Sequence, residues 1–437
     1  MITVMLTARI TALILRLFKK GATTLPGRLA LKLKYNILTG LSKGVKIICV
    51  TGTNGKTTVC AMIEHALKKA GRSYIINGSG ANMLSGVTTA FIMNSTLTGK
   101  CRSEFAILEC DENSLPLITR YVDADIITVT NLFRDQLDRY GETDNTLMKI
   151  KEGIKNCPKA VIILNADDPV SYSLSTGIDN RVITFGADSD SSDGGIPDSR
   201  RCPLCGSILK YKSITVSQLG DFYCQRCPYR RRTPDYLISG ISETGFLFND
   251  ELCSSALGGI YNLYNFGAAA AVISTLDAGD VQAICSFSGA FGRMERFSVG
   301  NNTALLLLVK NPAGLTACIK YVSRIKGDIS AAFALNDNSA DGRDVSWIWD
   351  SDFTPLKDNF KSVYTVGTRS LDMALRLKYD GITADKIIDG ENYRQLIEII
   401  KSADGDFIVF STYTAMMKMR HLFIDAFGGK EFWKRTE

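Results

Sequence analysis

The sequence predicts an α/β protein with two parallel-sheet domains, the first of which contains a glycine-rich loop. Apolar strands alternate with helical stretches, the run from Gly52 to Thr58 lies between a strand and a helix, and the alternation restarts after Gly300. Such alternation builds parallel sheets covered by helices on both faces. We therefore expect a helical segment over residues 1–44, a central domain over 45–300 and a C-terminal Rossmann-like α/β domain over 301–437.

The composition is that of a globular protein with a large core. The chain has 437 residues, of which 45% are hydrophobic, and a net charge of +6, which neither indicates nor excludes binding to nucleic acid. Eight of the twelve cysteines are scattered singly, as is typical of reduced thiols in a cytosolic protein. His65 and His421 are the only histidines, so a His-rich metal site is excluded and a self-contained Ser-His or Cys-His nucleophile is disfavoured.

The N-terminal stretch from Met1 to Phe18 is apolar and contains Arg9 and Arg16. It is too short and too interrupted to span a bilayer, and it lacks the features of a signal peptide. The pattern predicts an amphipathic helix. This helix either packs against the body of the protein or rests on an anionic membrane surface.

The glycine-rich run has the features of a phosphate-binding loop. An apolar strand, Val45 to Val50, precedes it, and an amphipathic helix from Val59 to Ala70 follows. Its glycines allow the backbone N–H groups to converge on phosphate oxygens, while Lys56 adds a positive charge and Thr57 offers a hydroxyl to Mg²⁺. The sequence therefore predicts ATP or a related triphosphate, with Mg²⁺, at this loop. Its residues are Gly52, Thr53, Asn54, Gly55, Lys56, Thr57 and Thr58.

Polar residues follow the successive strands of the central domain. These strands are predicted at Ser73–Asn77, Phe105–Glu109, Ile126–Thr130, Ala160–Leu164 and Val182–Phe185. Ligands gather at the carboxyl ends of parallel strands, so Glu109 is the candidate carboxylate for Mg²⁺. The polar loops 131–141 and 165–169 follow later strands, and the cluster Asn165-Ala166-Asp167-Asp168-Pro169 is suited to ribose or base contacts.

Two C-x-x-C pairs predict a zinc ribbon inserted into the central domain. Four thiolates complete a tetrahedral site with no position open for water, so the zinc is structural. Several arginines near the second pair leave nucleic-acid binding as an alternative, but flanking sheet elements favour a stabilised insertion, and we expect no nucleic-acid partner. The zinc ligands are Cys202, Cys205, Cys224 and Cys227, and the arginines are Arg226, Arg230, Arg231 and Arg232.

The remaining polar residues lie in the last part of the central domain and in the second domain. Asn262 and Asn265 precede an Ala-rich helix, and Arg293 follows a glycine, where it could reach a phosphate. Strands at Leu305–Val309, Ile329–Leu335, Ser362–Val366 and Phe407–Phe410 form the second domain. Between them, Trp347 and Trp349 stand beside several carboxylates, a pattern that fits either an interface or an apolar strand with polar ends.

These residues together resemble the Mur ligase family from about Val45 to the end of the chain. Residues 52–58 are similar to the phosphate loop of that family, and Asn82 to its second glycine-asparagine loop. Glu109 stands where the family keeps a Mg²⁺-binding glutamate. The resemblance implies adenine contacts for Asn262 and Asn265, and a phosphate contact for Arg293.

The sequence also departs from the family pattern. Gln136 replaces a usual histidine, which puts a second metal in doubt, and Lys151 lies near the position of a carbamylated lysine. The usual N-terminal nucleotide-sugar domain is absent from the residues before the loop. A lipid-linked substrate at the inner face of the cell membrane would not need that domain.

The zinc ribbon and the segment from Asp344 to Asp350 are similar to the amidating members of the family. This resemblance implies ATP-dependent amidation of the D-glutamate α-carboxylate in the lipid II peptidoglycan stem, through an acyl phosphate. Ammonia would come from a glutaminase partner subunit, to which the C-terminal domain would supply an acidic residue. Asp350 is our candidate for that residue, with Asp344 and Asp352 as alternates.

Two other functions remain open at this point. A folylpolyglutamate-synthase-like amino-acid ligase also lacks the N-terminal domain, although a zinc ribbon is unexpected there. A nucleic-acid-binding ATPase would use the ribbon and its arginines, and its binding would weaken with salt.

Overall fold

The structure is a computed structural model of the chain, and it describes residues 1–17, 23–77, 81–133, 142–188, 201–242, 245–254, 259–287, 294–325 and 327–428. The chain forms two compact units, and among the described residues the first ends at Phe287 and the second begins at Met294. The second unit thus begins ahead of residue 300, because the strand Met294–Val299 pairs with Asn302–Leu308 in the second sheet.

The first unit contains the phosphate loop and the inserted ribbon. Its helices are α1 (Ile2–Leu17), α2 (Leu25–Leu33), α3 (Ile37–Leu41), α4 (Lys56–Lys69), α5 (Leu84–Met93), α6 (Leu115–Thr119), α7 (Glu142–Lys155), α8 (Pro169–Tyr172), α9 (Ile260–Leu276) and α10 (Gln282–Cys285). Its strands are β1 (Lys46–Thr51), β2 (Tyr74–Ile76), β3 (Phe105–Glu109), β4 (Ile126–Val129), β5 (Val161–Asn165), β6 (Val182–Ala187), β7 (Leu209–Val216), β8 (Leu219–Cys224), β9 (Tyr236–Ser239), β10 (Phe246–Phe248) and β11 (Glu251–Cys253).

The main sheet of this unit is parallel over most of its width, as predicted. Its strand order is β11-β10-β9-β6-β5-β4-β1-β3-β2, with β10 and β11 antiparallel at one edge. Every residue of β3 and β4, the two neighbours of β1, is buried. Strands buried on both faces are mostly apolar, which is why their sequences show no alternation of apolar and polar residues. The carboxyl ends of β1, β3 and β4 lie at one edge of the sheet, where ligands bind in such folds.

The N-terminal helix packs against the first unit. Met5, Ala8 and Ala12 are buried, and α1 contacts α2 and α5. The Arg9 guanidinium donates hydrogen bonds to the carbonyl oxygens of Ile92, at 3.0 Å, and Ser95, at the end of α5. A positive charge at that end is favourable because the helix dipole is negative there. None of the helices in the described ranges has both the length and the apolar character needed to cross a bilayer.

The ribbon is an insertion between two neighbouring strands. β7 and β8 form a separate antiparallel hairpin, whereas β6 before it and β9 after it pair directly in the main sheet. The ribbon therefore does not interrupt the main sheet. This arrangement agrees with the prediction of an insertion flanked by sheet elements.

The second unit is a further α/β sheet, also as predicted. Its order is β12-β13-β17-β14-β15-β16, parallel except for β12, and apolar clusters pack on both faces. Its helices are α11 (Pro312–Val322), α12 (Ser370–Tyr379), α13 (Tyr393–Ser402) and α14 (Tyr413–Phe427). Its strands are β12 (Met294–Val299), β13 (Asn302–Leu308), β14 (Ile329–Ala334), β15 (Ser362–Val366), β16 (Lys386–Ile387) and β17 (Asp406–Ser411).

Candidate active site and cysteine cluster

The phosphate loop lies at the carboxyl end of β1. Gly52 and Gly55 have φ angles of 122° and 89°, in the region that favours glycine. α4 begins at Lys56, directly after Gly55 and earlier than the helical pattern from Val59 predicts. The first N–H groups of a helix have no intrahelical acceptor, so this helix start offers donors and a positive partial charge to an anion.

The loop that follows β4 holds the phosphate loop in place. The Thr130 hydroxyl donates to the carbonyl of Asn54 at 2.6 Å, and the Asn54 N–H donates to Oδ1 of Asn131 at 3.0 Å. The Thr53 hydroxyl accepts from the N–H of Phe133 at 3.1 Å. The sequence marked this loop as polar but did not single out these residues. Their effect is to fix the backbone that would contact phosphate.

Lys56 is almost fully buried and is paired with an acidic residue. Its Nζ lies 2.9 Å from Oε1 of Glu112, and it also donates to the carbonyl of Gly52. Glu112 ends the acidic run after β3, in which the sequence predicts a metal role for one residue, most simply Glu109. Because a phosphate and Glu112 would compete for the same ammonium group, triphosphate binding is expected to weaken this ion pair.

The two predicted magnesium ligands are neighbours in the structure. The hydroxyl of Thr57 donates to Oε1 of Glu109 at 3.0 Å, and Glu109 is buried. Adjacent ligands of octahedral Mg²⁺, with bonds of about 2.1 Å, are separated by about 3.0 Å, so this pair suits the ion. Asn77 positions Glu109, since its side chain pairs with both the N–H and the carbonyl of that residue at 2.8 Å. In the sequence, nothing distinguishes Asn77 from other polar residues at the end of a predicted strand.

The predicted adenine contacts lie beside the phosphate loop. Asn262 and Asn265 occupy the first turns of α9, and the Asn265 amide donates to Oδ1 of Asn262 at 3.4 Å. A Cβ added at Gly55 would lie 2.1 Å from Oδ1 of Asn265, so the two segments are in close contact.

The other residues singled out by the resemblance are placed as follows. The backbone carbonyl of Asn82 accepts from the N–H of Asp111 at 3.1 Å, so Asn82 lies beside the acidic run. Lys151 is half-buried on α7. Arg293 and Gln136 lie outside the described residues, and their roles stay predictions.

Asp167 does not have the exposure that a ribose or base contact requires, and that expectation is wrong. Its side chain is fully buried. It accepts from Nε of Arg231 at 2.6 Å and from the hydroxyl of Tyr264 at 2.7 Å. Burial raises the pKa of Asp167, and the guanidinium of Arg231 opposes the rise. The residue therefore ties the ribbon to the main sheet.

Asp168 is buried in the same way. It accepts from the N–H of Leu132 at 2.7 Å and from the amide of Gln218 at 2.5 Å. Burial raises its pKa to about 6, although these hydrogen bonds favour the charged form. Asp168 thus connects the ribbon hairpin to the loop after β4, and it is no more available to a ribose than Asp167.

The four predicted zinc ligands form one cluster. Their sulfur atoms all lie within 4.8 Å of one another, with Cys202 and Cys227 at 3.6 Å and Cys205 and Cys224 at 3.5 Å. Zinc–sulfur bonds of about 2.3 Å give a tetrahedron with edges of about 3.8 Å, so the cluster fits a Cys₄ metal site. A hydrogen bond with the Ser207 hydroxyl lowers the pKa of Cys224 to about 6, whereas burial and neighbouring thiols raise the pKa of Cys227. A thiolate at neutral pH is the form that binds metal.

The arginines of the ribbon are partly used inside the fold. Arg231 pairs with Asp167 and with Asp188, at 2.6 and 3.0 Å, and Arg232 pairs with Asp235 at 3.2 Å. Arginines engaged with carboxylates contribute less to a nucleic-acid surface. The structure therefore favours the ribbon as a stabilised insertion.

The three candidate carboxylates of the second unit differ in their surroundings. Asp344 and Asp352 each accept a backbone N–H, from Ser346 at 2.8 Å and from Thr354 at 2.9 Å. Asp350 ends the 3-10 turn Ser346–Asp350, is exposed, and has no hydrogen-bond partner in the described part of the chain. Partial burial, together with the Asp344 carboxylate, raises the pKa of Asp350.

A buried arginine fixes the segment that carries Asp350. Arg376 on α12 donates to the carbonyl of Ser351 at 2.7 Å and to that of Ile348 at 3.2 Å. Its guanidinium also lies over the ring of Trp349, 5.2 Å from the centroid. The backbone on both sides of Asp350 is therefore held by one side chain.

Comparison with known proteins finds relatives over nearly the whole chain. Two family profiles match, "Mur ligase middle domain" over residues 50–223 and "MurT ligase C-terminal" over residues 308–416. The lipid II isoglutaminyl synthase (glutamine-hydrolyzing) subunit MurT of Streptococcus pneumoniae is 36% identical over 92% of this chain and 92% of that relative. The subunit of the same name from Staphylococcus aureus (strain COL) is 35% identical, again over 92% of both.

Solved structures share the fold at low sequence identity. A pseudomurein peptide ligase type C from Methanothermus fervidus has a TM-score of 0.69 at 20% identity, covering 88% of this chain and 79% of that one. Folylpolyglutamate synthase from Mycobacterium tuberculosis has a TM-score of 0.59 at 15% identity, covering 91% and 95%. At such identities the likeness concerns the fold alone.

The fold, the phosphate loop and the middle-domain profile define a Mur-type ATP-dependent ligase. Within that class, the identity over nearly the whole chain and the C-terminal profile are decisive: the chain belongs to the MurT family.

Replacement of Lys56 by Ala is expected to reduce ATP-dependent turnover by about a hundredfold or more, because the ammonium offsets charge on the transferred phosphoryl group. Lys69, exposed in the last turn of the same helix, provides the matched control. The measurement is the rate of ADP formation with substrate, alongside the thermal unfolding midpoint. A Lys56→Ala variant that folds and turns over like Lys69→Ala would refute the role of the loop.

Replacement of Cys205 by Ser is expected to remove the bound metal and lower the unfolding midpoint, because three thiolates hold zinc less tightly than four. Cys101→Ser, at a half-buried thiol outside the cluster, is the control and should keep the metal. Metal content per purified chain by mass spectrometry is the measurement. Equal metal in both variants would rule out a Cys₄ site.

Proposed function

We propose that this chain is the ligase subunit of a glutamine-dependent amidotransferase. Its reaction would convert the α-carboxylate of D-glutamate in the peptide stem of lipid II to the amide, giving D-isoglutamine. The observation that carries the proposal is the similarity to MurT subunits along nearly the whole chain, together with the buried Lys56 and the buried Glu109, which accepts the Thr57 hydroxyl, at the phosphate loop.

The first step uses the residues of the phosphate loop. ATP would bind with its triphosphate at the start of α4, and Lys56 would leave Glu112 to contact the β- and γ-phosphates. Thr57 and Glu109 would hold Mg²⁺, which neutralises charge on the triphosphate. The substrate carboxylate oxygen attacks the γ-phosphorus, the bond to the β-phosphate oxygen breaks, and ADP leaves. The product is an acyl phosphate.

The second step forms the amide. Ammonia attacks the carbonyl carbon of the acyl phosphate, inorganic phosphate leaves, and the nitrogen loses a proton. An acyl phosphate is needed because a free carboxylate has no leaving group that ammonia can displace at neutral pH. The phosphoryl group therefore supplies the driving force for a carbon–nitrogen bond.

Ammonia would come from glutamine in a partner subunit, a GatD-like glutaminase. The chain has two histidines, His65 and His421. His65 lies on α4, the helix that follows the phosphate loop, and its Nε2 is 3.0 Å from the hydroxyl oxygen of Ser286. Glutamine hydrolysis needs a nucleophile activated by a base, so a second subunit would provide both. Asp350 would complete that site by orienting the partner's histidine.

The surface beside Asp350 suits such a partner. Trp349 is 46% exposed, and its ring meets that of Tyr379 at 5.2 Å between centroids. Leu371, Leu375 and Tyr379 are exposed at positions four residues apart on α12, so they share one face. An exposed apolar patch with aromatic side chains is typical of protein interfaces. The acidic side chain and the docking surface would thus be adjacent.

The cysteine cluster would hold zinc in a structural role. It keeps the ribbon folded, and the ribbon supplies Gln218 and Arg231 to the buried carboxylates of the main sheet. Loss of the metal is therefore expected to disturb the loop after β4 as well as the ribbon.

The reaction would take place at the inner face of the cell membrane, in the cytoplasm, because a lipid-linked precursor remains in the bilayer. The rival function, addition of an amino acid as in folylpolyglutamate synthase, is supported by the fold alone. An amino-acid ligase would need no glutaminase, and this difference separates the two functions.

Replacement of Asp350 by Asn is expected to reduce glutamine-dependent amidation at least a hundredfold while changing ammonia-dependent amidation less than about twofold, because Asp350 serves the glutaminase only. The assay uses the chain with a GatD-like subunit, ATP, Mg²⁺ and lipid II, and follows isoglutamine by mass spectrometry. The wild-type chain alone should use ammonium but not glutamine.

Asp352→Asn is the matched control, since its Oδ1 can still accept the N–H of Thr354. Equal losses with glutamine and with ammonia in Asp350→Asn would place Asp350 in the ligase step. Amino-acid addition by the isolated chain, without amide formation from ammonium, would overturn the proposed function.

A further inference from the structure

The outer face of α1 is apolar, and no element of the described part of the chain covers it. Leu13 and Ile10 are 60% and 54% exposed. The exposed side chains recur at helical spacing, opposite the face that buries Met5 and Ala8 against the body. They are Ile2, Leu6, Ile10, Leu13 and Ile14.

The neighbouring helix α2 adds both apolar and basic groups. Leu25 and Leu33 are 46% and 54% exposed, and Arg28 and Lys32 are exposed on the same helix. Helices that rest in a membrane interface combine an apolar side with Lys and Arg in this way. Large apolar side chains are thus exposed at seven positions on two packed helices, and exposed apolar patches of this kind mark interaction sites.

The charge of the chain is concentrated in the same region. Residues 1–45 contain eight of the 51 Lys and Arg residues and none of the 45 Asp and Glu residues, which leaves 43 basic and 45 acidic residues in the rest of the chain. The positive net charge of the protein therefore comes from its N-terminal segment. Such a segment is attracted to anionic lipid headgroups within about a Debye length, roughly 10 Å at 0.1 M salt.

We propose that the exposed faces of α1 and α2 form a docking surface for an anionic lipid bilayer. Ile10, Leu13 and their neighbours enter the headgroup region, and Arg28 and Lys32 contact lipid phosphates. α1 lies on the membrane without crossing it, held to the protein body by Arg9 and Met5. The delivery of a lipid-linked substrate to this surface rests on the proposed function, whereas lipid binding itself does not.

A second copy of the chain fits this surface less well. Two such faces in contact would bring two segments with eight basic and no acidic residues together, and their charges would repel. An anionic bilayer offers both an apolar layer and the opposite charge. The chemistry of the face therefore selects lipid over self-association.

The test measures sedimentation of the full chain with vesicles of phosphatidylglycerol and phosphatidylcholine. Wild-type protein is expected to bind the anionic vesicles, to bind pure phosphatidylcholine at least tenfold more weakly, and to lose affinity as salt rises. Ile10→Ser with Leu13→Ser should weaken binding at least tenfold, as should Arg28→Glu with Lys32→Glu. The control is Met148→Ser with Leu252→Ser, at positions 62% and 73% exposed elsewhere in the same unit. Unfolding midpoints confirm that each variant is folded.

Failure of wild-type protein to bind vesicles, or equal binding by the apolar and control variants, would overturn the docking surface. Self-association of the wild type that the Ile10 and Leu13 changes abolish would do so as well, since a second copy would then cover the face. Amidation of detergent-solubilised substrate by the same variants tests the proposed function separately. Vesicle binding without amidation would contradict the proposed amidation function but not the lipid-docking surface.

Discussion

The parallel pairing of β1 with β3 and β4 is the constraint on which the candidate site depends. Val50 lies opposite Glu109, and Thr51 lies opposite Val129, so the loops after all three strands begin at the same level. From there Glu109 reaches Thr57, and the loop after β4 reaches the backbone of Asn54. A slip of one residue would move a strand end by about 3.3 Å and turn each side chain to the opposite face. The geometry of the candidate ligand site therefore depends on the register of the sheet.

The inserted ribbon also helps to position the phosphate loop, through the loop after β4. Gln218 of the ribbon donates to Asp168 and, at 3.0 Å, to the carbonyl of Leu132. Leu132 lies between Asn131 and Phe133, which hold the phosphate loop. A buried carboxylate with a raised pKa would destabilise the fold without such donors. A metal at the cysteine cluster would hold the ribbon hairpin in place without a large core of its own, so that the hairpin could supply these donors.

The sequence was sufficient for features that depend on local order or on short spacing. Unbroken apolar runs predicted the buried parallel strands, and the phosphate loop and the C-x-x-C pairs were recognised from residues adjacent in the chain. Contacts between distant segments could not be predicted in this way. Glu112 and Asn77 look like ordinary polar residues until β2, β3 and α4 bring them beside Lys56 and Glu109. The burial of Asp167 is equally hidden from local sequence, since its partners Arg231 and Tyr264 come much later in the chain.

The second sheet also contains a contact that could not be predicted from local sequence. β12 precedes Gly300, and only its pairing with β13 assigns it to the second unit. The resemblance alone favours Asp350 over Asp344 and Asp352. The structure adds a physical distinction, because Asp344 and Asp352 already accept backbone N–H groups. Roles of this kind depend on what a side chain touches, which one sequence does not record.

The central claim is that the phosphate loop binds the triphosphate of ATP with Mg²⁺ between Thr57 and Glu109. A crystal structure with a non-hydrolysable ATP analogue and Mg²⁺ tests it most directly. The account predicts phosphate oxygens at the N–H groups of residues 53–58, Lys56 released from Glu112, and the metal on Thr57 and Glu109. A nucleotide bound elsewhere, with the Lys56–Glu112 ion pair intact, would contradict it.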